Sequence, residues 1–321
     1  MTSQIVLNFP KTLDKLSEIE IKRKACIAKV MTYTLSNLTS QFVKNGFEWL
    51  LPVALSQSTD PLWPDPGASI EKRIEIDIYG KTVRTTSSMI IHKIIASSIA
   101  YPKLFILSPN IRIEKPERAK TGMHIYEFSQ LDFEIREASS KDVMNLVEKA
   151  IHGLMENLQK DMKEELTTLC TCDRIKIPKT PFKIYDKCEL ESKYGTTWEE
   201  EISKRSFDPV WVTNIPREFY DFEDFETGKW DNYDLFLPNY GEALSGAKRE
   251  WEYSKILQKI ERDNINKENY KLILQLSKEG KIKPTSGGGI GLERLVGWIS
   301  GVQHIAETQP FPRIPGKVYD L

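Results

Sequence analysis

The chain has 321 residues, 40% of them hydrophobic and 28% charged, with 45 basic side chains against 46 acidic ones. That balance describes a globular chain with an apolar core, and a net charge of -1 lacks the basic excess with which proteins displace counterions from nucleic acid. Four cysteines are too few for a disulfide scaffold, and no apolar run approaches the roughly 20 residues that span a bilayer.

No basic, apolar leader is read at the start, so a cytoplasmic, membrane-free protein is expected. Residues 18–45 carry apolar side chains at near-helical spacing without a proline, and Gly46 ends the run. Phe47 to Val53 reads as a short buried strand, and 56–69 as a proline-stiffened loop. A strand is expected at 75–79 and a largely buried helix at 87–100. Strands follow at 103–114 and 124–136, joined by a polar turn at 115–123.

The second of these strands alternates clearly, placing Tyr126, Phe128, Gln130, Asp132 and Glu134 on one face. A row of polar and acidic side chains at strand spacing is not what a simple core strand carries. A long amphipathic helix is expected at 140–166, and a small insertion or lid at 167–210. Beyond it come strands at 210–215 and 231–238, helices at 249–263 and 267–279, and a glycine-rich stretch, Gly287 to Gly291, running into a helix at 292–299. Separated helices between antiparallel strands predict a single α+β domain over 1–321.

Ser286-Gly-Gly-Gly-Ile-Gly-Leu-Glu-Arg-Leu-Val296 is the most informative string. Its glycines let backbone approach a ligand closely, and Arg294 offers a planar cation for a base or a phosphate. Read alone, it is also compatible with a tight turn into a packed helix. The string resembles motif 3 of class II aminoacyl-tRNA synthetases. Phe42-Val-Lys-Asn-Gly-Phe-Glu-Trp-Leu-Leu-Pro52 looks like motif 1 of that family, and Asn110 to Glu114 with His124 to Glu134 looks like motif 2. Tyr240-Gly-Glu-Ala-Leu-Ser-Gly-Ala-Lys-Arg249 and Ser87 to Lys93 are similar to segments of its aspartyl and asparaginyl members.

The resemblance implies an antiparallel sheet flanked by helices, and a homodimer built partly on residues 24–53. It implies ATP as substrate, bound by Arg112, Glu114, His124, Tyr126, Phe128, Glu242, Ser245, Gly289, Gly291 and Arg294, with magnesium on Glu242 and Ser245. The amino acid would meet Ser88, Lys93, Gln130, Asp132, Ser245 and Arg249. Arg112, Asp132, Glu134 and Arg294 would carry the catalysis.

Three departures from the family pattern bear on function. Met123 stands where an arginine is usual, Ile90 where a glutamine is usual, and Pro284-Thr-Ser where Pro-His-Gly is usual. The sequence before residue 24 also leaves no room for an anticodon-reading barrel. Together with Asn214 to Tyr220, Arg249 to Tyr253 and His304 to Arg313, these features resemble an archaeal family of synthetase-derived asparagine synthetases. That resemblance implies amidation of aspartate by ammonia through a β-aspartyl-adenylate, releasing AMP and pyrophosphate. Arg249 and Lys93 would then hold the α-carboxylate, Asp132 or Glu134 would hold ammonium, and tRNA is not expected as a partner. Two alternatives remain: an aspartate- or asparagine-adenylating enzyme that passes the acyl group to tRNA or a protein, and a noncatalytic regulatory paralogue of a synthetase, against which the retained Arg112, Glu242 and Arg294 argue.

Overall fold

The structure is a computed structural model that describes residues 9–62, 70–172 and 175–319. The part of the expected proline loop at 63–69 lies outside the described residues. Among the described residues the main sheet has eight strands: β1 (Glu48–Leu50), β2 (Lys103–Ile111), β3 (Glu127–Arg136), β4 (Lys183–Asp186), β5 (Val210–Thr213), β6 (Asn232–Leu237), β7 (Gly241–Lys248) and β8 (Thr285–Gly291). Their spatial order is β1-β2-β3-β8-β7-β6-β5-β4. All neighbours are antiparallel except the two outermost pairs, β1 with β2 and β4 with β5.

One face of the sheet is apolar. Leu131 and Phe133 of β3, Leu235 of β6, Leu244 of β7 and Ile290 of β8 pack there against three helices: α1 (Glu18–Lys44), α3 (Ser140–Asp161) and α9 (Leu292–Ser300). Helix α1 starts on a capping box, in which Ser17 accepts from the Glu20 amide and Glu20 accepts from the Ser17 amide. It stops at Gly46, whose φ of +81° suits a residue without a side chain. Ile27, Val30, Thr34, Leu38 and Phe42 are its buried stripe.

The opposite face is polar. Helix α2 (Ile90–Ile99) lies over β3 and β8 on that side. Its Ile90, Ile91 and Ile94 join Phe219 and residues of α7 (Tyr253–Arg262) and α8 (Lys271–Lys278) in a second apolar cluster. The expected helix at 140–166 is broken at Met162, after which a short α4 (Lys163–Thr168) begins. Residues 167–210 contribute edge strand β4, helix α5 (Lys187–Tyr194) and helix α6 (Trp198–Arg205), with their own apolar cluster around Trp198 and Ile202.

Two expectations need correction. The stretch Phe47 to Val53 is not a buried strand: only Glu48–Leu50 is extended, at the sheet edge, and Trp49 and Leu51 are 53% and 87% exposed. The glycine-rich stretch is no turn but a central strand, and Gly241–Lys248 is a strand that the pattern did not announce. The reason for glycine on β8 is room. A Cβ at Gly287 would come 2.2 Å from the Phe133 carbonyl oxygen and 2.3 Å from Glu134 Oε2. One at Gly289 would come 2.7 Å from Asp132 Oδ1. The acids of β3 lie flat across β8 because β8 has no side chains there.

Two glycine substitutions should therefore behave oppositely. Gly287→Ala forces a Cβ into backbone and is expected to cost about 1–3 kcal/mol, as overpacking does. Gly153→Ala, inside α3, meets only the Gln41 side chain at 3.7 Å. It should stabilise by about 0.5–1 kcal/mol from helix propensity. Paired thermal melts of the two variants check the sign of each.

Candidate active site

The polar face carries a cavity of about 1020 Å³ whose floor is β3, β7 and β8 and whose wall includes α6. Of the expected ATP residues, Arg112, Glu114, His124, Phe128, Glu242, Gly289, Gly291 and Arg294 line it. Arg112 leaves the end of β2 and lies over the Phe128 ring, 5.2 Å from its centroid, with Nε donating to the Ser87 carbonyl at 3.1 Å. Arg294 donates to the Glu242 carbonyl at 2.8 Å and reaches its carboxylate at 3.5 Å. Tyr126 is not among the lining residues; its backbone links Arg112 to Arg313.

His124 sits among arginines. Arg118 donates to its Nε2, and its Nδ1 bonds Thr121 Oγ1, which itself donates to the Arg118 carbonyl. Burial, and then the positive charges of Arg294, Arg118 and Arg112, push its pKa down to about 2. The ring is therefore neutral, and the cluster presents its positive charge through guanidinium groups. Arg118 was missed in the sequence. It arises from the polar turn expected at 115–123, and its spacing from Glu114, which it meets at 3.4 Å, was the available signal.

Behind the cavity the row on β3 becomes a buried charge lattice. Gln130, paired with Asn110 at 2.7 Å, still lines the cavity. Lys93 of α2 donates to Asp132 at 2.9 Å and to the Gly288 carbonyl at 3.0 Å, and it lies 3.8 Å from Glu134. Ser108 donates to the other oxygen of Asp132. Arg249 donates to Glu134 at 3.1 Å, to the Gly287 carbonyl at 3.1 Å and to Asp221, while Thr285 donates to Glu134 at 2.8 Å. Glu134 has no exposed surface and Arg249 only 3%. Burial raises the Asp221 carboxyl against the lowering effect of Arg249 and Arg217.

The structure brings Lys93, Asp132, Glu134 and Arg249 together as expected, but with the cations already engaged by protein carboxyls. Ser88 is buried at the start of α2, where its hydroxyl accepts from the Ile90 amide at 3.2 Å. Asp221, which completes the lattice, was not foreseen.

Glu242 and Ser245 are three apart on β7, a spacing that would put them on opposite sides of a regular strand. A register shift against β6 pairs Glu242 with Phe236 but Leu244 with Leu235, which returns both residues to the polar face. Ser245 is nevertheless taken by Arg217, which also pairs with Asp234. Burial pushes Asp234 up to about 8, with Arg217 opposing and Glu242 adding to the rise. Across the cavity, enclosure and then the Glu242 charge raise the Glu199 carboxyl. Neither Arg217 nor Glu199 was picked from the sequence, although Arg217 lies in the quoted string Asn214 to Tyr220 and Glu199 opens an acidic run. Among the described residues no group of three or more His, Cys, Asp or Glu side chains is arranged to hold a metal ion.

Residues 70–315 match the family described as tRNA synthetases class II (D, K and N). An asparagine–tRNA ligase of Thermoplasma acidophilum is 26% identical over 309 residues, covering 89% of this chain and 68% of that protein. One from Koribacter versatilis is 29% identical over 330 residues, covering 94% and 71%. The crystal structure of asparaginyl-tRNA synthetase from Pyrococcus horikoshii complexed with asparaginyl-adenylate superposes with a TM-score of 0.81 at 24% identity, over 98% of this chain and 76% of that one. These findings correct two expectations. The ammonia-dependent asparagine synthetase reading is overturned, because these relatives are tRNA ligases. The exclusion of tRNA as a partner falls with it.

Glu293, at the start of α9, also lines the cavity and receives the Ser129 amide at 3.0 Å on both oxygens. Burial outweighs these bonds and pushes its carboxyl up from 4.5 to about 7. The folded protein thus keeps a proton that the unfolded chain has released, so this group's contribution to stability falls as pH rises towards about 7. Wild type should lose melting temperature between pH about 5 and about 7.5 relative to Glu293→Gln, which cannot titrate. Parallel pH-dependent melts of the two proteins check this.

Proposed function

Because the chain belongs to the class II tRNA synthetases of the D, K and N type, we propose that it activates asparagine with ATP and passes the acyl group to tRNA. The observation that carries this reading is the continuity of the site. A cavity ringed by Arg112, Arg118 and Arg294 leads along β3, past Gln130, to a sealed lattice of charges. The arginines suit a polyphosphate. The lattice suits the amino acid: it sets two cations, Lys93 and Arg249, against three carboxyls, Asp132, Glu134 and Asp221. Among the described residues both cations of the lattice are engaged by protein carboxyls, which favours the neutral amide of asparagine over the side-chain carboxylate of aspartate.

In this reading the asparagine α-carboxylate attacks the α-phosphorus, and the bond to pyrophosphate breaks. Arg112, held flat by Phe128 and Ser87, stabilises the charge that builds on the α-phosphate. Neutral His124 keeps Arg118 aimed into the cavity, while Arg294 and the bare backbone at Gly289 and Gly291 flank the nucleotide. Gln130, the β3 side chain that still lines the cavity, would meet the substrate amino group, with the carboxylate charge of Asp132 just behind it. A tRNA hydroxyl then attacks the carbonyl carbon, AMP leaves, and the hydroxyl proton passes to solvent. Glu242 and Glu199, two carboxyls facing one cavity, fit a magnesium ion better than Ser245, whose hydroxyl serves Arg217. Bound there, the ion would neutralise phosphate charge.

Pyrophosphate exchange with purified protein tests the activation step. Asparagine is expected to support exchange at least about tenfold better than aspartate, and Arg112→Ala to lower its kcat about 100-fold with little change in asparagine KM. Exchange with neither amino acid would remove the reading, and activation without charging of tRNA would remove its second half.

Two exposed apolar side chains at the sheet edge, Trp49 in β1 and Leu51 just after it, support a homodimer built partly on residues 24–53. Light scattering after size exclusion should give twice the chain mass for wild type and a monomer for Leu51→Asp. A monomeric wild type would overturn the assembly.

A further inference from the structure

Helix α6 separates two cavities. Glu199, Ser203 and Lys204 wall the candidate active site, while Ile202, Arg205 and Ser206 help to line a second cavity of about 460 Å³. This second cavity opens beside β4, the last strand of the sheet, whose outer edge has no strand partner among the described residues. Nothing in the proposed reaction uses it.

Its chemistry is uneven in a telling way. Four cations line it, Lys179, Lys183, Lys193 and Arg205, against two carboxyls, Glu189 and Asp208. Asp208 is already engaged by the Lys179 backbone amide at 3.2 Å. Arg205 is paired with Glu201 at 2.7 Å, but among the described residues the three lysines have no carboxylate in salt-bridge reach. A chain of net charge -1 thus concentrates positive charge at one small concavity. Aromatic rings stand among the cations. Tyr194 lies under both Lys193, 5.1 Å from its centroid, and Arg205, at 5.3 Å. Phe207 stands at the same cavity 99% exposed, a phenyl ring left in water.

Phenyl and phenol rings interleaved with unpaired lysines are what a nucleotide needs. Its base finds a flat apolar surface to stack on, and its phosphate finds cations without carboxylate partners. The volume falls in the range of sites that enclose small ligands. A peptide adding to the open edge of β4 would use the backbone, but it would leave the lysine excess and the exposed Phe207 ring without a purpose. We propose that this cavity binds an unpaired nucleotide, its base stacked on Phe207 or Tyr194 and its phosphate held by Lys179, Lys183 and Lys193. The nucleotide belongs either to a single-stranded RNA segment or to a free mononucleotide. The inference goes beyond the proposed charging reaction and does not require it.

The test uses the full chain and fluorescence anisotropy of a labelled single-stranded RNA hexamer, with CMP and a labelled acidic peptide as comparators. Hexamer binding is expected to weaken as salt rises, and to fall about tenfold in Phe207→Ala and in Lys193→Glu. Arg112→Ala, in the other cavity, should bind the hexamer as wild type does. Pyrophosphate exchange should be unchanged in Phe207→Ala, which separates failure of this site from failure of the proposed reaction. A hexamer that binds more tightly than CMP identifies an RNA strand as the source, and equal affinity identifies a free nucleotide. The proposal is overturned if neither binds at millimolar concentration, if both variants bind as wild type does, or if only the acidic peptide binds.

Discussion

The structure depends on one arrangement: two cations and three carboxyls packed together between α2 and the sheet with almost no exposure to water. Any one of these charges buried alone would cost several kcal/mol, and removing one partner from such a group typically costs about 3–5 kcal/mol. Each must therefore arrive with the others. Lys93 requires α2 to dock across β3 and β8, and Arg249 must follow directly from β7 to reach Glu134. Asp221 requires the connection after β5 to return to the same place. Strand register is fixed by the same demand. A slip of one residue in β3 would turn Asp132 and Glu134 into the apolar face and bring Leu131 and Phe133 among the charges.

From this lattice outward the site has an electrostatic gradient. The inner end contains more carboxyl groups than cations, and the outer end contains Arg112, Arg118 and Arg294 around a histidine that cannot protonate at neutral pH. An uncharged His124 is as important as the arginines. Were it a cation, it would compete with them for phosphate and repel them from one another. A substrate pair with an anionic polyphosphate at one end and an ammonium at the other matches that gradient in one orientation only.

Much of the frame was legible because the signals were local. Helices α1 and α3 carry long apolar stripes, and β3 alternates so strictly that the polar row of Gln130, Asp132 and Glu134 could be read before any partner was known. Strand β7 was hidden because Gly, Ala and Ser carry little strand preference. Strand β8 was hidden because glycine usually marks a turn, whereas here its purpose is to admit side chains from the strand beside it. The shared face of Glu242 and Ser245 depends on a bulge, and the roles of Arg118, Arg217 and Asp221 depend on contacts distant in sequence. None of these has a periodicity to read.

The substrate was misread for a different reason. Read from sequence alone, a departure from a motif suggests a change of chemistry, whereas in the structure each one has a packing or compensating explanation. Ile90 is 4% exposed and belongs to the apolar cluster with Phe219, so a hydrophobic residue there is what the core asks for. Met123 leaves no deficit of positive charge, because Arg118 reaches His124 in the same cavity from the preceding turn. Thr285 and Ser286 each donate a hydrogen bond that fixes their strand, one to Glu134 and one to the Ala138 carbonyl. Net charge misled in the same way. It sums the whole surface, whereas a nucleic acid meets only the part it touches, and a chain with one excess acid can still carry a concavity with four cations against two carboxyls. A substitution inside a motif is evidence about substrate only after the residue's own neighbours have failed to account for it.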